Sequence, residues 1–390
     1  MGPSYNRPGA AGLGWPDGSL VQEVTGTALA GARAGAGTGV GGLGWPDAGP
    51  SAGREQSRES RGVQVSGEGS GVETVESAMG DGRPEVPAPP VVIPDIPRNQ
   101  ADTPIGRAAE AAVGVRGLAD RQSWPRPARC RVMTIANQKG GVGKTTTAVN
   151  LAASLALHGS RVLVIDLDPQ GNASTALDVD HHAGVPSVYD VLVEDRPLAE
   201  VIRPAGGMPG LFCAPATIDL AGAEIELVPV VARELRLARA LRAFDASELD
   251  YVFVDCPPSL GLLTVNALVA AEEVLLPIQC EYYALEGVQQ LLNTAELVRV
   301  NFNPGLHVST VLLTMYDGRT RLASDVADDV RAHFGPSVLR TIIPRSVRVS
   351  EAPSRGQSVI SYDPGSSGAI AYTEAAKELA MQSADSRQNG

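Results

Sequence analysis

Residues 132–147 read VMTIANQKGGVGKTTT, and the reading of the fold starts from how this stretch divides. Val132–Ala136 is a short run rich in β-formers. A glycine loop follows it, and then a helical pattern runs over Thr145–His158 and is stopped by Gly159. A strand, a glycine loop ending in Gly143-Lys144-Thr145 and a helix, in that order, make a phosphate-binding loop. The glycines let backbone N–H groups curl around phosphate oxygens, and the helix N-terminus adds its partial positive charge. At this spacing Lys144 is placed to reach the β- and γ-phosphates of a nucleotide, and the Thr145 hydroxyl to ligate Mg²⁺.

Outward from the loop, apolar runs and helical patterns alternate. Strands are predicted at Val162–Ile165, Tyr251–Val254, Val274–Ile278 and Val308–Leu313. Helices are predicted at Glu224–Phe244, Gly261–Ala270, Gly287–Val300, Ala323–Phe334 and Ala369–Gln382. Strands that are apolar throughout and alternate with helices imply an α/β fold, a mostly parallel twisted sheet with helices on both faces.

Two further segments bring acids to strand ends, the edge of an open α/β sheet where ligands bind. After Val162–Ile165 comes DLDPQGNAS, which carries Asp166 and Asp168. Tyr251–Ser259 reads YVFVDCPPS, four apolar residues ending in Asp255, a carboxylate suited to holding Mg²⁺ through water. Pro257 and Pro258 stop that strand in a rigid loop. Cys256 has no His near it in sequence and reads as a packed thiol.

Composition sets the outer limits. The chain has 390 residues, a formal net charge of −12 and 4 Cys with no CxxC pair. A disulfide framework or a zinc site is therefore not expected, and a reducing cytoplasm is. The longest apolar stretch, Leu260–Ile278, is interrupted by Asn266, Glu272 and Glu273, so no membrane span is expected. Residues 1–128 are predicted to be a disordered Gly/Pro/Ala-rich tail, and 129–390 the folded domain. The hexapeptide GLGWPD occurs in that tail at Gly12–Asp17 and again at Gly42–Asp47. It is either a local duplication in a linker or a pair of docking motifs, or translation starts downstream, for example at Met79. All three Trp (Trp15, Trp45, Trp124) fall in the expected tail, and Asp102–Ala112 has helix-like spacing.

The loop departs from GxxxxGK[ST]: Gln138 stands where the first glycine belongs, and a second lysine, Lys139, follows it. With this deviant loop the chain resembles the ParA/MinD family of P-loop NTPases. QCEYYALEG (279–287), LLTMYDGRTRLASDV (312–326) and TIIPRSVRVSEAPSRGQSVISYDPGSSGA (341–369) resemble the chromosomal ParA/Soj branch over about residues 131–378. The ending AMQSADSRQNG has no amphipathic membrane-targeting face of the MinD kind. A MinD-like membrane-surface ATPase is the alternative.

The resemblance implies an ATPase whose nucleotide is held by Lys139, Gly140, Gly141, Val142, Gly143, Lys144, Thr145 and Thr146. It implies that Met315 and Pro344 lie near the adenine, and that Thr145 and Asp255 serve Mg²⁺. Lys139 would cross to the nucleotide of a second subunit in an ATP-dependent sandwich homodimer, stabilising transferring charge together with Lys144. Asp168 would orient the attacking water, and Asp166 would support the magnesium shell or the loop. Nonspecific double-stranded DNA of the nucleoid and a ParB-type protein are the implied partners, in the cytoplasm. Residues 318–358 carry seven Arg against four acids, a local 7 − 4 = +3, with Arg319, Arg345 and Arg348 the expected DNA contacts.

Overall fold

The computed structural model describes residues 123–282 and 286–385. All of these belong to one unit; a second unit, Leu29–Gln100, lies outside the described residues, as do both GLGWPD copies, Asp102–Ala112 and residues 283–285 of QCEYYALEG.

In chain order the elements are β1 (Arg131–Ile135), α1 (Lys144–Leu157), β2 (Val162–Asp166), α2 (Asn172–Ala176), α3 (Val188–Val193) and α4 (Leu198–Val201). Next come β3 (Arg203–Pro204), β4 (Leu211–Ala214), α5 (Leu220–Glu226), α6 (Arg236–Ala243), β5 (Tyr251–Asp255), α7 (Leu262–Ala270) and β6 (Glu273–Gln279). The chain continues with α8 (Glu286–Asn301), β7 (His307–Tyr316), α9 (Arg321–Phe334), β8 (Val338–Pro344), α10 (Val347–Glu351), α11 (Val359–Tyr362) and α12 (Ser367–Asp385).

The eight strands form one sheet in the order β3-β4-β2-β5-β1-β6-β7-β8. All pairings are parallel except β3 with β4. The expected fold class is thus the observed one. Its cause is visible within each strand. In β2, Val162 and Val164 join one apolar layer while Leu163 and Ile165 join the other, and all four are fully buried. A strand buried on both faces must be apolar at every position. Each such side chain contributes about 1.5–3 kcal/mol. Helices α1 and α12 cover one face, while α3 and α5–α9 supply the layer on the other.

The structure departs from the expected elements in several places, beyond short helices and the two-residue β3 that were not expected. The single helix expected at Glu224–Phe244 is two helices, α5 and α6, with a short 3₁₀ turn at Arg233–Leu235. Pro229, between them, lacks an N–H and cannot continue α5. Strands β4 and β8 were not anticipated: the first is four residues long, and Arg340 and Thr341 interrupt the apolar run of the second. Finally, the packed body takes in Trp124, ahead of the boundary expected between residues 128 and 129. Its ring stacks on His158 with centroids 3.7 Å apart, and its backbone N–H donates to the His158 backbone carbonyl at 3.1 Å.

Candidate nucleotide site

Parallel strands send their C-terminal ends to one edge, so β1, β2, β5, β6, β7 and β8 deliver residues 136, 167, 256, 280, 317 and 345 to the same rim. There β1 lies between β5 and β6, and the connections leaving it and its neighbours open a crevice.

The loop after β1 is braced from outside. Asn137 donates its side-chain N–H to the Pro277 carbonyl at 2.8 Å and accepts the Lys139 N–H at 3.0 Å. Thr314, near the end of β7, donates its hydroxyl to the Val142 carbonyl at 2.8 Å. Gly143 enters α1 with φ +89°, a left-handed conformation that admits few residues other than glycine. The Lys144 ammonium points back to the Lys139 carbonyl at 3.4 Å. Val142 is buried, so only its backbone can serve a ligand.

A cavity of about 770 Å³ opens on this loop. Gly140, Gly141, Gly143, Lys144, Thr145 and Thr146 line it, and Asp168, Met315 and Pro344 complete its wall. Residues from the loop, the turn after β2 and the ends of β7 and β8 therefore meet around one space. Lys139, Asp166 and Asp255 do not line it.

The three acids differ in surroundings. Asp168 is nearly buried, and its carboxylate accepts the Gln170 N–H at 3.1 Å. Asp166 is fully buried, with both oxygens engaged by the Ser174 N–H and hydroxyl and by the Asp168 N–H. Burial pushes its carboxyl up to about 6, while the Ser174 bonds pull the other way. Asp255 faces Asp166 across the β2–β5 ladder. Burial, and then the charge of Asp166, push its carboxyl well above the usual carboxylate range, although the Thr145 side chain works against this.

Neither Asp255 oxygen has a partner that meets hydrogen-bond geometry among the described residues. A buried carboxylate left unpartnered beside Thr145 and Lys144 is what a Mg²⁺ site needs, since the ion relieves the cost of the buried charge. Among the described residues no group of three or more His, Cys, Asp or Glu could hold a metal alone. Mg²⁺ at such sites takes one or two protein oxygens, with water and phosphate completing its shell. Cys256 is fully buried and its thiol is pushed up by burial, which leaves it protonated and unreactive.

The signature lysine has a different tie. Lys139 lies 3.7 Å from Glu281, and Arg345 lies 3.2 Å from the same carboxylate. Arg345, expected at DNA, also lines the cavity. Arg319 pairs with Asp317 at 2.7 Å, and Arg348 pairs with Glu351 at 2.9 Å and Asp363 at 3.3 Å. The surplus of +3 read along the chain shrinks in space, because the fold brings Glu281, Asp317, Asp363 and Glu378 to these arginines from outside the counted stretch. Arg321 and Arg355 are exposed and make no ion pair with described residues.

Sequence reasoning passed over Asn137, Ser174 and Thr314. Their positions beside the loop and within DPQGNAS were legible; their partners lie up to 172 residues away. Among the described residues, no helix is long and apolar enough to cross a membrane.

The parallel sheet, the braced glycine loop and the carboxylates behind it define a P-loop NTPase of the deviant two-lysine kind. A family profile described as "AAA domain" matches residues 130–308. The sporulation initiation inhibitor protein Soj of Bacillus subtilis is 54% identical over 250 residues, 64% of this chain and 98% of that protein. The chromosome partitioning protein ParA of Myxococcus xanthus is 51% identical, over 64% of this chain and 87% of its own length. Among solved structures, a cobyrinic acid a,c-diamide synthase from Mycobacterium smegmatis with bound ADP and magnesium is 42% identical. It superposes with a TM-score of 0.56 over 64% of this chain and 94% of that one. The chain belongs to the ParA/Soj family of P-loop ATPases.

Proposed function

We propose that this protein is an ATP-dependent switch that partitions a chromosome or plasmid. The observation that carries the reading is Lys139: a second cation on the phosphate loop that does not line the cavity of its own subunit. A lysine so placed is of use to a neighbour's nucleotide. The likeness to Soj and ParA supports the same reading.

ATP occupies the cavity, with the backbone of residues 139–146 and Lys144 at its phosphates and Met315 and Pro344 at its base. Thr145 and Asp255 hold Mg²⁺, which when bound draws charge from the phosphates. Asp166 supports the loop, and Asp168 orients the attacking water. Lys139 crosses to a second subunit and closes a sandwich dimer. Pairing joins two weak arginine surfaces, including Arg319, Arg345 and Arg348, into one that grips nonspecific double-stranded DNA by avidity. Hydrolysis, stimulated by a ParB-type partner, opens the pair and releases DNA. The folded domain, which takes in the segment around Trp124, acts as the ATPase, in a cytoplasmic, nucleoid-associated protein.

The test is sedimentation velocity and DNA pulldown with a non-hydrolysable ATP analogue, with ADP and without nucleotide. Dimer and DNA retention should appear with the ATP analogue alone, and Lys139→Ala should abolish both. A monomer indifferent to DNA under ATP saturation would overturn the reading. Liposome flotation with ATP addresses the MinD-like alternative; the partitioning reading expects the protein to stay in solution.

A further inference from the structure

Ser174 occupies a junction that phosphate binding alone does not require. It is fully buried in α2, and its hydroxyl donates to Asp166 Oδ2 at 2.7 Å while its N–H donates to the same oxygen at 2.9 Å. The same hydroxyl accepts the Ala216 N–H at 3.2 Å. The other oxygen of Asp166 accepts the Asp168 N–H at 3.2 Å. One buried carboxylate therefore links the backbone of Asp168 to Ser174, and Ser174 links both to the loop after β4.

The turn between Asp168 and Ser174 is closed from the outside as well. Gly171 has φ +63°, and a Cβ there would lie 2.7 Å from the His181 ring and 3.4 Å from the Ala216 carbonyl. The turn thus has no room to shift toward His181 or Ala216, and the Ser174 hydroxyl bonds both Asp166 and the backbone of Ala216.

We propose that Ser174 is a positioning residue for ATP hydrolysis, acting through Asp166 to fix the backbone that aims Asp168 into the cavity. This rests on the reading of Asp168 as the carboxylate that orients the attacking water. Without the hydroxyl, Asp166 loses its shortest bond and the Ala216 N–H loses its acceptor. Both are buried, so each seeks a new partner by moving. Displacement of a catalytic group by about 1 Å costs on the order of 100-fold in rate, and loss of one tie among several is expected to cost roughly tenfold.

The experiment is steady-state ATP hydrolysis by the full chain carrying Ser174→Ala, Ser174→Cys, Ser174→Thr or Asp168→Ala. Cysteine keeps nearly the volume of serine but is a weak donor and acceptor, so it separates hydrogen bonding from packing. Ser174→Ala and Ser174→Cys should both lower kcat roughly tenfold with KM for ATP within about twofold, and Ser174→Thr should restore kcat to within about twofold. If Ser174→Ala fails to fold, Ser174→Cys decides. Hydrolysis by Ser174→Cys at the wild-type rate overturns the proposal, as does a raised KM with kcat unchanged. Wild-type hydrolysis by Asp168→Ala sinks the reading of Asp168 itself; an inactive Asp168→Ala beside a fully active Ser174→Cys sinks only the role of Ser174.

Discussion

Asp255 and Asp166 stand opposite each other at the ends of adjacent strands, yet only Asp166 is supplied with donors. Removing the charge of Asp255 should therefore have two opposite effects. Asp255→Asn should raise the thermal midpoint of the nucleotide-free protein, and more so as pH rises, because burial opposes ionisation of the wild-type carboxyl and asparagine has no charge to form. It should also lower Mg²⁺-dependent hydrolysis by about 100-fold or more, since the site then lacks its anionic metal partner. Scanning calorimetry and a hydrolysis assay read the two. Asp166 carries a pH signature. Its carboxyl is raised to about 6, so the folded chain binds this proton more tightly than the unfolded chain does. Its contribution to stability is therefore greatest at low pH, falls as pH rises from about 4 to about 6, and is level above. Urea unfolding across that range should show the gap between wild type and Asp166→Asn changing below pH 6 and constant at pH 7; parallel curves would remove Asp166 as the source. At this scale the phosphate loop and the three carboxylates at strand ends could be read from residue order, because each depends on a strand end or a loop a few residues long. The difference between Asp166 and Asp255 could not, since it depends on Ser174 and on what fails to reach Asp255.

Among the elements, the continuous apolar strands β1, β2, β5, β6 and β7 were legible and the interrupted or very short ones were not. β8 is recognised as a strand only by its pairing with β7, which tolerates Arg340 because that side chain points to solvent and Glu378. The segment before β1 shows the same limit. A Trp followed by Pro in a stretch without periodicity gives no local signal, and its packing becomes visible only when α1 ends beneath it. Trp124 is 9% exposed and stacked on His158, so Trp124→Ala should destabilise the protein by about 2–4 kcal/mol in urea unfolding. A chain beginning at residue 129 should show a loss of similar size, and unchanged stability in both would place Trp124 outside the cooperative unit.

Across the whole molecule, charge is the property that the linear chain conveyed least well. Glu281 lies near both Lys139 and Arg345, one expected to serve a second subunit and the other DNA. All three are partly exposed, so the ion pairs are worth at most about 1 kcal/mol each. Glu281→Gln should raise the DNA affinity of the ATP-bound protein by roughly two- to fivefold at low salt, with the gain shrinking as salt is added. Fluorescence anisotropy on a random duplex at several salt concentrations measures this, and a salt-independent gain would point to a cause other than charge.

The position of Trp124 has a practical consequence for anyone wishing to watch the protein in cells. The described chain enters at the far end of α1, a 14-residue helix about 20 Å long whose other end carries the phosphate loop. If two subunits meet loop to loop, their entry points face outward, separated by about 40 Å or more. A fluorescent protein joined ahead of residue 123 is thus attached at the back of each subunit, whereas one inserted just after β7 or β8 would stand beside the phosphate loop.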